Sequence, residues 1–456
     1  MILLPDSLMN SLTDVVGFDK KAFEKVHASG EQITSIRLNP SKPVTQFPNF
    51  QIPQSKIPWT TTGYYLDSRP SFTFDPLFHA GCYYVQEASS MFLEQALRQT
   101  VDLSQPVKVL DLSAAPGGKS THIQSLLSKD SLVVSNEVIR SRANILKDNI
   151  IKWGSENVVV TNNDPKDFAK LENYFDVIVV DAPCSGSGLF RRDPEAIKEW
   201  SLNNVALCSQ RQQRILADVW PALKKNGILI YSTCSYSKEE DEEIMDWLLR
   251  ELRAKSYELR VGQEPGIVKT HAASGAVGYR FWPDKVKGEG FFIACFQKEE
   301  GDEYEPVKAR ANADTLTKNE LAVIDKWIRK EGLQFIKHEN TVYAWPEGLV
   351  ADMNLILSQL RVIYSGVRVG ELVRDKLIPD HALAMSNRVS DSVMRTELTY
   401  EQAIQYLQRK DLAVETKEKS WQLVNYLGHA LGWINALANR INNYYPKELR
   451  IIKETP

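Results

Sequence analysis

The 456-residue sequence predicts an α/β protein built on a doubly wound, mainly parallel sheet, with smaller modules on either side. From Tyr83 to Lys298, short apolar runs alternate with segments of helical period, joined by short loops. A Gly117-Gly118 pair stands where the first strong strand turns into a helix. Two Cys-Ser dipeptides, Cys184-Ser185 and Cys234-Ser235, each follow a strongly apolar run. In an open parallel sheet, reacting groups gather at the carboxyl ends of the strands, so both thiols point at one crevice. Their separation of 50 residues fits one strand–helix–strand unit.

Length and composition set the frame. The chain is longer than a single hydrophobic core sustains, so two or three domains are expected. With 43% hydrophobic and 25% charged residues it should be globular. The opening Met1-Ile2-Leu3-Leu4 is halted by Pro5 and Asp6, and no apolar stretch approaches the ~20 residues of a membrane span, so a soluble cytoplasmic protein is the expectation. Five cysteines at 82, 184, 208, 234 and 295 lack CxxC spacing, which argues against a disulfide framework or a zinc site and for free thiols. A net charge of −3 supplies no global attraction to nucleic acid, so an RNA partner would have to be held by local basic surface.

Taken in order, residues 1–75 combine a helix, FDKKAFEKVHAS, with the Pro- and aromatic-rich FPNFQIPQSKIPWTTTGYYL, a small module followed by extended chain. Residues 76–298 carry helix QEASSMFLEQAL, strand VKVLDL, helix KSTHIQSLL, strand LVVSNE, helix SRANILKDNIIKW, strand NVVVTN and strand YFDVIVVDAP. A long helix from about Asn204 to Lys224, closed by Gly227, follows. Then come strand GILIYSTC and a final pair around GYRFWP and EGFFIACFQK. The charged stretch QKEEGDEYEPVKARANAD reads as a linker opening an α+β region over 299–380, with helix NELAVIDKWIRKEG. Residues 381–456 hold helix TYEQAIQYLQRK and strands WQLVNYLG and LGWINALA.

The turn SAAPGGKST lacks both the phosphate-cradling G-x-x-x-x-G-K-[ST] and the dinucleotide G-x-G-x-x-G spacing, which leaves an adenosyl ligand without phosphates. Glu137 ends the second strand, where a carboxylate meets ribose hydroxyls. Asp164 ends the third, within reach of an adenine edge, and Asp181 ends the fourth. Each acid alone could be a helix cap; after a Gly-Gly loop they read together as a cofactor line. The thiols suit a base that must be made electron-rich by addition. Carbon 5 of cytosine is a poor nucleophile until a thiolate adds to carbon 6, and a second group must later remove the carbon 5 proton. A carboxyl such as Asp181, bonded to ring nitrogen 3 or the exocyclic amine, would stabilise that adduct. Cys82, Cys208 and Cys295 sit in a helix or between aromatics and read as small buried hydrophobes.

These motifs resemble the Nol/Nop/Sun family of RNA cytosine methyltransferases, and its bacterial ribosomal RNA branch, the RsmF-like enzymes. The resemblance rests on YYVQEASS from Tyr83, SAAPGGKS from Ser113, Glu137 followed by Arg142, Asp164, DAPCSGSG from Asp181, STCS from Ser232 and RFWPDKVKGEGFF from Arg280. It implies a Rossmann-like class I methyltransferase sheet of seven strands. S-adenosylmethionine would be held by Ser113, Ala114, Ala115, Pro116, Gly117, Gly118 and Lys119 with Glu137, Asp164 and Asp181. It implies Cys234 as nucleophile and Cys184 as the group that resolves the adduct, an order the residues alone leave open. Lys119 and Asp181 would also face the target base, and the substrate would be small-subunit (16S) ribosomal RNA. The C-terminal ALGWINALANRINNYYPKELRI is similar to a PUA-like RNA-binding module. Its last 17 residues hold four basic and two acidic side chains around Tyr444 and Tyr445, which suits phosphate contact with base stacking. By the same resemblance the N-terminal module positions RNA.

Two other readings remain open at this point. A DNA cytosine methyltransferase would use the Pro-Cys thiol and carry Glu-Asn-Val downstream, whereas Glu156-Asn157-Val158 lies upstream and looks like the start of a strand. A non-catalytic ribosome-assembly factor would tolerate loss of either loop cysteine, and both are present. A transfer RNA or a 23S ribosomal RNA substrate is the alternative on specificity. The sequence leaves oligomeric state unassigned.

Overall fold

The computed structural model describes residues 3–49, 55–262, 266–302, 304, 314–414 and 418–454. Of the expected charged linker, residues 303 and 305–313 lie outside the described residues.

The N-terminal module is a three-stranded antiparallel sheet of β1 (Thr34–Leu38), β2 (Gly63–Leu66) and β3 (Tyr83–Val85), ordered β2-β1-β3. Ile36 pairs with Val85, so the sheet is completed by residues beyond 75. The expected first helix forms over Lys20–Ala28, capped by Asp19, which accepts from the Ala22 N–H.

The central sheet contains β4 (Lys108–Asp111), β5 (Leu132–Asn136), β6 (Val158–Thr161), β7 (Phe175–Asp181), β8 (Leu223–Thr233), β9 (Ala254–Tyr257), β10 (Ile267–His271), β11 (Val277–Phe281) and β12 (Phe291–Lys298). Seven of these, in the order β6-β5-β4-β7-β8-β12-β11, make a doubly wound sheet in which β12 alone runs against its neighbours. The sheet is larger than the expected seven strands. Strand β10 extends one edge, β9 pairs with the end of β12, and β16 (Val362–Ser365) closes the other edge. Strands β4 to β7 read as unbroken apolar runs because both faces are covered. Along β7, Ile178 and Val180 join one core cluster and Val177 and Val179 the opposite one, the period of two expected of a strand.

Two local expectations shift. The long helix occupies Leu202–Val219, not 204–224, because Ser201 caps its start and Pro221, which lacks an N–H, stops it. Gly227 therefore lies inside β8 and closes no helix. The expected helix over 319–332 is confined to Lys318–Ile324, begun by a Thr317/Glu320 capping box.

The C-terminal part has a five-stranded sheet of β13 (Asp314–Thr315), β14 (Leu333–His338), β15 (Thr341–Pro346), β17 (Val367–Val373) and β18 (Lys376–Pro379). Between β15 and β17, β16 (Val362–Ser365) leaves that sheet and pairs antiparallel with β6. A four-stranded sheet of β19 (Arg395–Glu397), β20 (Trp421–Tyr426), β21 (His429–Ala436) and β22 (Ile441–Asn443) ends the chain. Among the described residues no helix is long and apolar enough to cross a membrane.

The N-terminal module is bolted to the core by buried donors. Arg37, in β1, is fully buried. Its guanidinium donates to Gln86 Oε1 (2.9 Å), Thr121 Oγ1 (2.6 Å), the Gly118 and Thr121 carbonyls and Ser125 Oγ. Glu94 is equally buried. It accepts from Thr60 Oγ1 (2.8 Å), from Thr61, from Arg98 Nε (2.9 Å) and from His122 Nε2 (3.2 Å). Burial pulls the His122 ring down to about 4, so its contact with Glu94 is a hydrogen bond from a neutral imidazole at neutral pH, not an ion pair.

Candidate active site

The site forms where the strand order reverses, between the carboxyl ends of β4 and β7. Strand β4 ends at Asp111, and the loop Leu112–Gly117 leads into the Gly118–Leu126 helix. Gly117 takes φ 114°, a left-handed conformation that other residues reach only under strain, and a Cβ there would lie 3.3 Å from Leu146 Cδ1. Neighbouring elements grip the loop through its backbone. The Ala114 N–H donates to the Asn136 carbonyl (2.8 Å), Arg142 Nη2 to the Ala115 carbonyl (2.8 Å) and Asn149 Nδ2 to the Pro116 carbonyl (2.8 Å).

Glu137 follows β5, is buried, accepts from the Ile139 N–H (2.9 Å) and faces Arg142 Nη1 at 3.5 Å. Asp164 lies three residues past the end of β6, not at it, and accepts from the Lys166 N–H (3.3 Å) as the cap of a 3₁₀ turn. Asp164 thus also does the capping work that its position suggests, whereas the Arg140–Trp153 helix after Glu137 follows Ile139 with no side-chain cap. Asp111 is a site residue that sequence reasoning passed over. Its carboxyl is fully buried and accepts from Ser120 Oγ (2.6 Å) through one oxygen, while Oδ1 has no partner among the described residues. Burial raises it to about 7, against the hydrogen bond from Ser120. The LDL triplet before the Gly-Gly turn was the available signal.

These groups fit S-adenosylmethionine. The loop offers backbone polar groups and a glycine bend, the flanking strand ends offer carboxylates for hydroxyl and amine donors, and the lysine of the loop is already paired with an acid. An uncharged-ribose, cationic ligand matches that set better than a polyphosphate.

The two thiols meet as expected. Parallel strands β7 and β8 pair Asp181 with Ser232, so Cys184 and Cys234 leave the sheet side by side, and their Sγ atoms stand 3.1 Å apart. Further bonds join the loops: the Ala182 N–H donates to the Ser232 carbonyl (2.8 Å) and the Gly188 N–H to the Cys234 carbonyl (2.7 Å). The Cys184 thiol is pushed well above its ordinary value, first by its hydrogen bond with Cys234 and then by burial. Cys82, Cys208 and Cys295 are buried apart from this pair, just before β3, in the Leu202–Val219 helix and in β12. Among the described residues no cluster of three His, Cys, Asp or Glu side chains is placed to hold a metal.

Lys119 Nζ pairs with Asp181 Oδ2 at 2.8 Å, and Ser232 Oγ donates to Asp181 Oδ1 at 2.8 Å. Although burial opposes it, Asp181 holds the Lys119 ammonium above its usual range, and the side chain also lies over the Phe291 ring. Ser232 was quoted only as the start of a motif; its register opposite Asp181 gives it a role. Behind the Cys234 loop, Tyr236 stacks on Trp282 with centroids 5.2 Å apart, and Phe23 of the N-terminal module packs edge-on against both. Arg280 Nε donates to Glu242 Oε1 (2.8 Å) and Nη1 to the Tyr236 carbonyl (3.1 Å), fixing the same loop.

Comparison with known proteins supplies a family. Residues 98–297 match the 16S rRNA methyltransferase RsmB/F family, 4–88 the N-terminal domain of 16S rRNA methyltransferase RsmF, and 394–451 the methyltransferase RsmF PUA domain. The chain is 30% identical over 417 residues to ribosomal RNA small subunit methyltransferase F of Shewanella woodyi, covering 86% of this chain and 84% of that protein. It is 29% identical to the protein of that description from Escherichia coli O127:H6, covering 91% and 90%. A methyltransferase homolog protein from Pyrococcus horikoshii superposes with TM-score 0.51 at 27% identity, over 65% of this chain and all of that one. The NSun6 structure from Pyrococcus horikoshii with SFG shares the fold, at TM-score 0.54 and 20% identity over 65% of this chain and 99% of that one.

Proposed function

Because the chain belongs to the ribosomal RNA small subunit methyltransferase F family, whose members depend on S-adenosylmethionine, we propose that it methylates carbon 5 of a cytosine in 16S ribosomal RNA through a covalent cysteine adduct at carbon 6. The observation that carries this reading is the pair of thiols 3.1 Å apart at adjacent strand ends, beside the Lys119–Asp181 pair. Bound S-adenosylmethionine supplies the electrophilic methyl carbon, held by the Ser113–Lys119 loop with Glu137, Asp164 and Asp181.

In this reading Cys234 attacks carbon 6 as a thiolate. Asp181, oriented by Ser232 and Lys119, accepts a hydrogen bond from the exocyclic amine of the base, and the Lys119 ammonium beside it offsets the negative charge that develops on the ring. Cys184 removes the carbon 5 proton so that carbon 6 can release Cys234. The hydrogen bond that raises Cys184 is lost once Cys234 is bonded to carbon 6, so its thiol ionises more readily at the stage where a base is needed. The target base must leave its stack to reach these strand ends, so structured RNA or an assembled subunit is the substrate. The N-terminal module (1–75) and the PUA-like module (381–456) hold that RNA around the core (76–298), with 299–380 joining them.

The test incubates the protein with methyl-labelled S-adenosylmethionine and small ribosomal subunits or their RNA, and identifies the labelled nucleoside. Label in 5-methylcytosine of 16S ribosomal RNA is expected. Label in another nucleoside, or in transfer or 23S RNA in preference, contradicts the reading.

A further inference from the structure

Each thiol is followed directly by a serine, and the chemistry above uses neither Ser185 nor Ser235. Both converge on Glu240, a fully buried carboxylate six residues beyond Cys234. Glu240 Oε2 accepts from Ser185 Oγ (2.5 Å) and Ser235 Oγ (2.6 Å), and Oε1 accepts from the Ser185 N–H (2.8 Å) and Gln212 Nε2 (3.1 Å). Gln212 in turn donates to the Pro183 carbonyl (3.1 Å), and the Tyr231 hydroxyl donates to the Glu240 carbonyl (2.6 Å).

A carboxylate removed from water is costly unless every lone pair is met. Here all four donors belong to the thiol loops or, through Gln212, to the residue before Cys184. A carboxylate serving only to end the Lys238–Glu240 turn would have no reason to collect both hydroxyls. On the opposite flank, the Gly188 and Tyr236 N–H groups bond the Cys234 carbonyl (2.7 Å) and Ser187 Oγ (3.0 Å) across the same gap. Ser185 Oγ and Ser235 Oγ also face each other at 3.4 Å, and Glu240 holds both of these residues adjoining the sulfurs.

We propose that Glu240, with Ser185 and Ser235 as its two arms, is a positioning residue that sets the separation of Cys184 and Cys234. The inference rests on the reading of these thiols as nucleophile and releasing group. It explains why each cysteine carries a serine on its C-terminal side: the hydroxyl lets one carboxylate hold both loops at once. It also assigns the arms different consequences. Loss of the Ser235 arm loosens the nucleophile, and loss of the Ser185 arm loosens the group that frees the product.

The test compares Glu240→Ala, Glu240→Gln, Ser185→Ala and Ser235→Ala with the wild type in two readouts. One is single-turnover methylation of small-subunit RNA, following the denaturant-resistant protein–RNA adduct. The other is the equilibrium between the Cys184–Cys234 disulfide and the two thiols in buffers of oxidised and reduced glutathione. In that exchange one oxidised glutathione becomes two reduced molecules as the protein disulfide forms. Glu240→Ala should lower the single-turnover rate at saturating S-adenosylmethionine about 10- to 100-fold, with little change in the S-adenosylmethionine concentration that gives half that rate, and weaken the disulfide about tenfold. Glu240→Gln, which keeps an acceptor, should restore part of both. Ser235→Ala should slow adduct formation, and Ser185→Ala should let adduct accumulate. If all four variants keep wild-type kinetics and thiol equilibrium, or if both serine variants lose activity only in step with melting temperature, the proposal is overturned. A wild-type protein that does not methylate cytosine would overturn the underlying reading and leave the disulfide measurement to decide the clamp. Should Glu240→Ala fail to fold, the serine pair carries the test.

Discussion

Asp111 shows how far burial alone can alter one residue of the site. Its carboxyl is raised from 3.8 to about 7 by loss of solvent, against a hydrogen bond from Ser120 that favours the anion. The folded protein therefore holds a proton that the unfolded chain releases, and stability falls as pH rises from about 4 to 7 and is level above that. Urea unfolding should show this slope in the wild type and a flatter one in Asp111→Asn; equal slopes contradict the assignment. Lys119 is the other residue whose environment decides its function, because its ammonium is held beside Asp181 and near Cys234. Lys119→Met should cost about 10²- to 10³-fold in kcat by removing a preorganised charge, read from initial rates with saturating RNA and S-adenosylmethionine. The named residues were legible because strand-end position and residue type coincide: Asp181 ends β7, Glu137 and Cys234 follow β5 and β8 by one residue, and Cys184 lies three residues past β7. Asp111 carried the same strand-end signal in the LDL triplet, but Ser232 and Glu240 were not legible, since their parts depend on register and on which buried oxygen finds a donor, neither of which is written in local spacing.

At the scale of elements, the turn between β4 and the Gly118–Leu126 helix carries the cofactor site, and one backbone conformation holds it. With Gly117 at φ 114° and Leu146 close behind, Gly117→Ala should weaken S-adenosylmethionine binding by about 1–2 kcal/mol, near tenfold in Kd by calorimetry. Unchanged affinity would show that the bend is dispensable. The parallel strands were plain in the sequence because double-sided burial turns them into unbroken Val/Ile runs. Elements with mixed signals were misplaced or missed. The Leu202–Val219 helix was drawn too far because Pro221 was outweighed by the apolar residues around it. The Glu242–Glu251 helix was hidden in an acidic run, although it buries Ile244, Met245 and Leu248. Strand β16 could not have been assigned to the central sheet at all, since nothing local tells a strand which of two sheets it will join.

For the whole molecule, the N-terminal module is joined to the catalytic core through Arg37, whose donors end on the backbone and side chains of the Gly118–Leu126 helix. Arg37→Ala leaves several buried acceptors unmet and should destabilise the folded chain by about 3 kcal/mol, measured by thermal unfolding, while raising the Kd for S-adenosylmethionine. A change in stability with untouched cofactor affinity would separate the module from the site. The net charge of −3 requires that RNA be held by local cations, so binding should weaken steeply with salt even though the whole protein is slightly acidic.

The pairing of the thiols joins these three scales. The most direct test traps the protein–RNA adduct under denaturing conditions with S-adenosylmethionine and small-subunit RNA, comparing Cys184→Ala with Cys234→Ala. An adduct that accumulates in Cys184→Ala and is absent in Cys234→Ala is the predicted result. An adduct only in Cys234→Ala would reverse the roles of the two sulfurs, and none in either variant would contradict covalent catalysis by this pair.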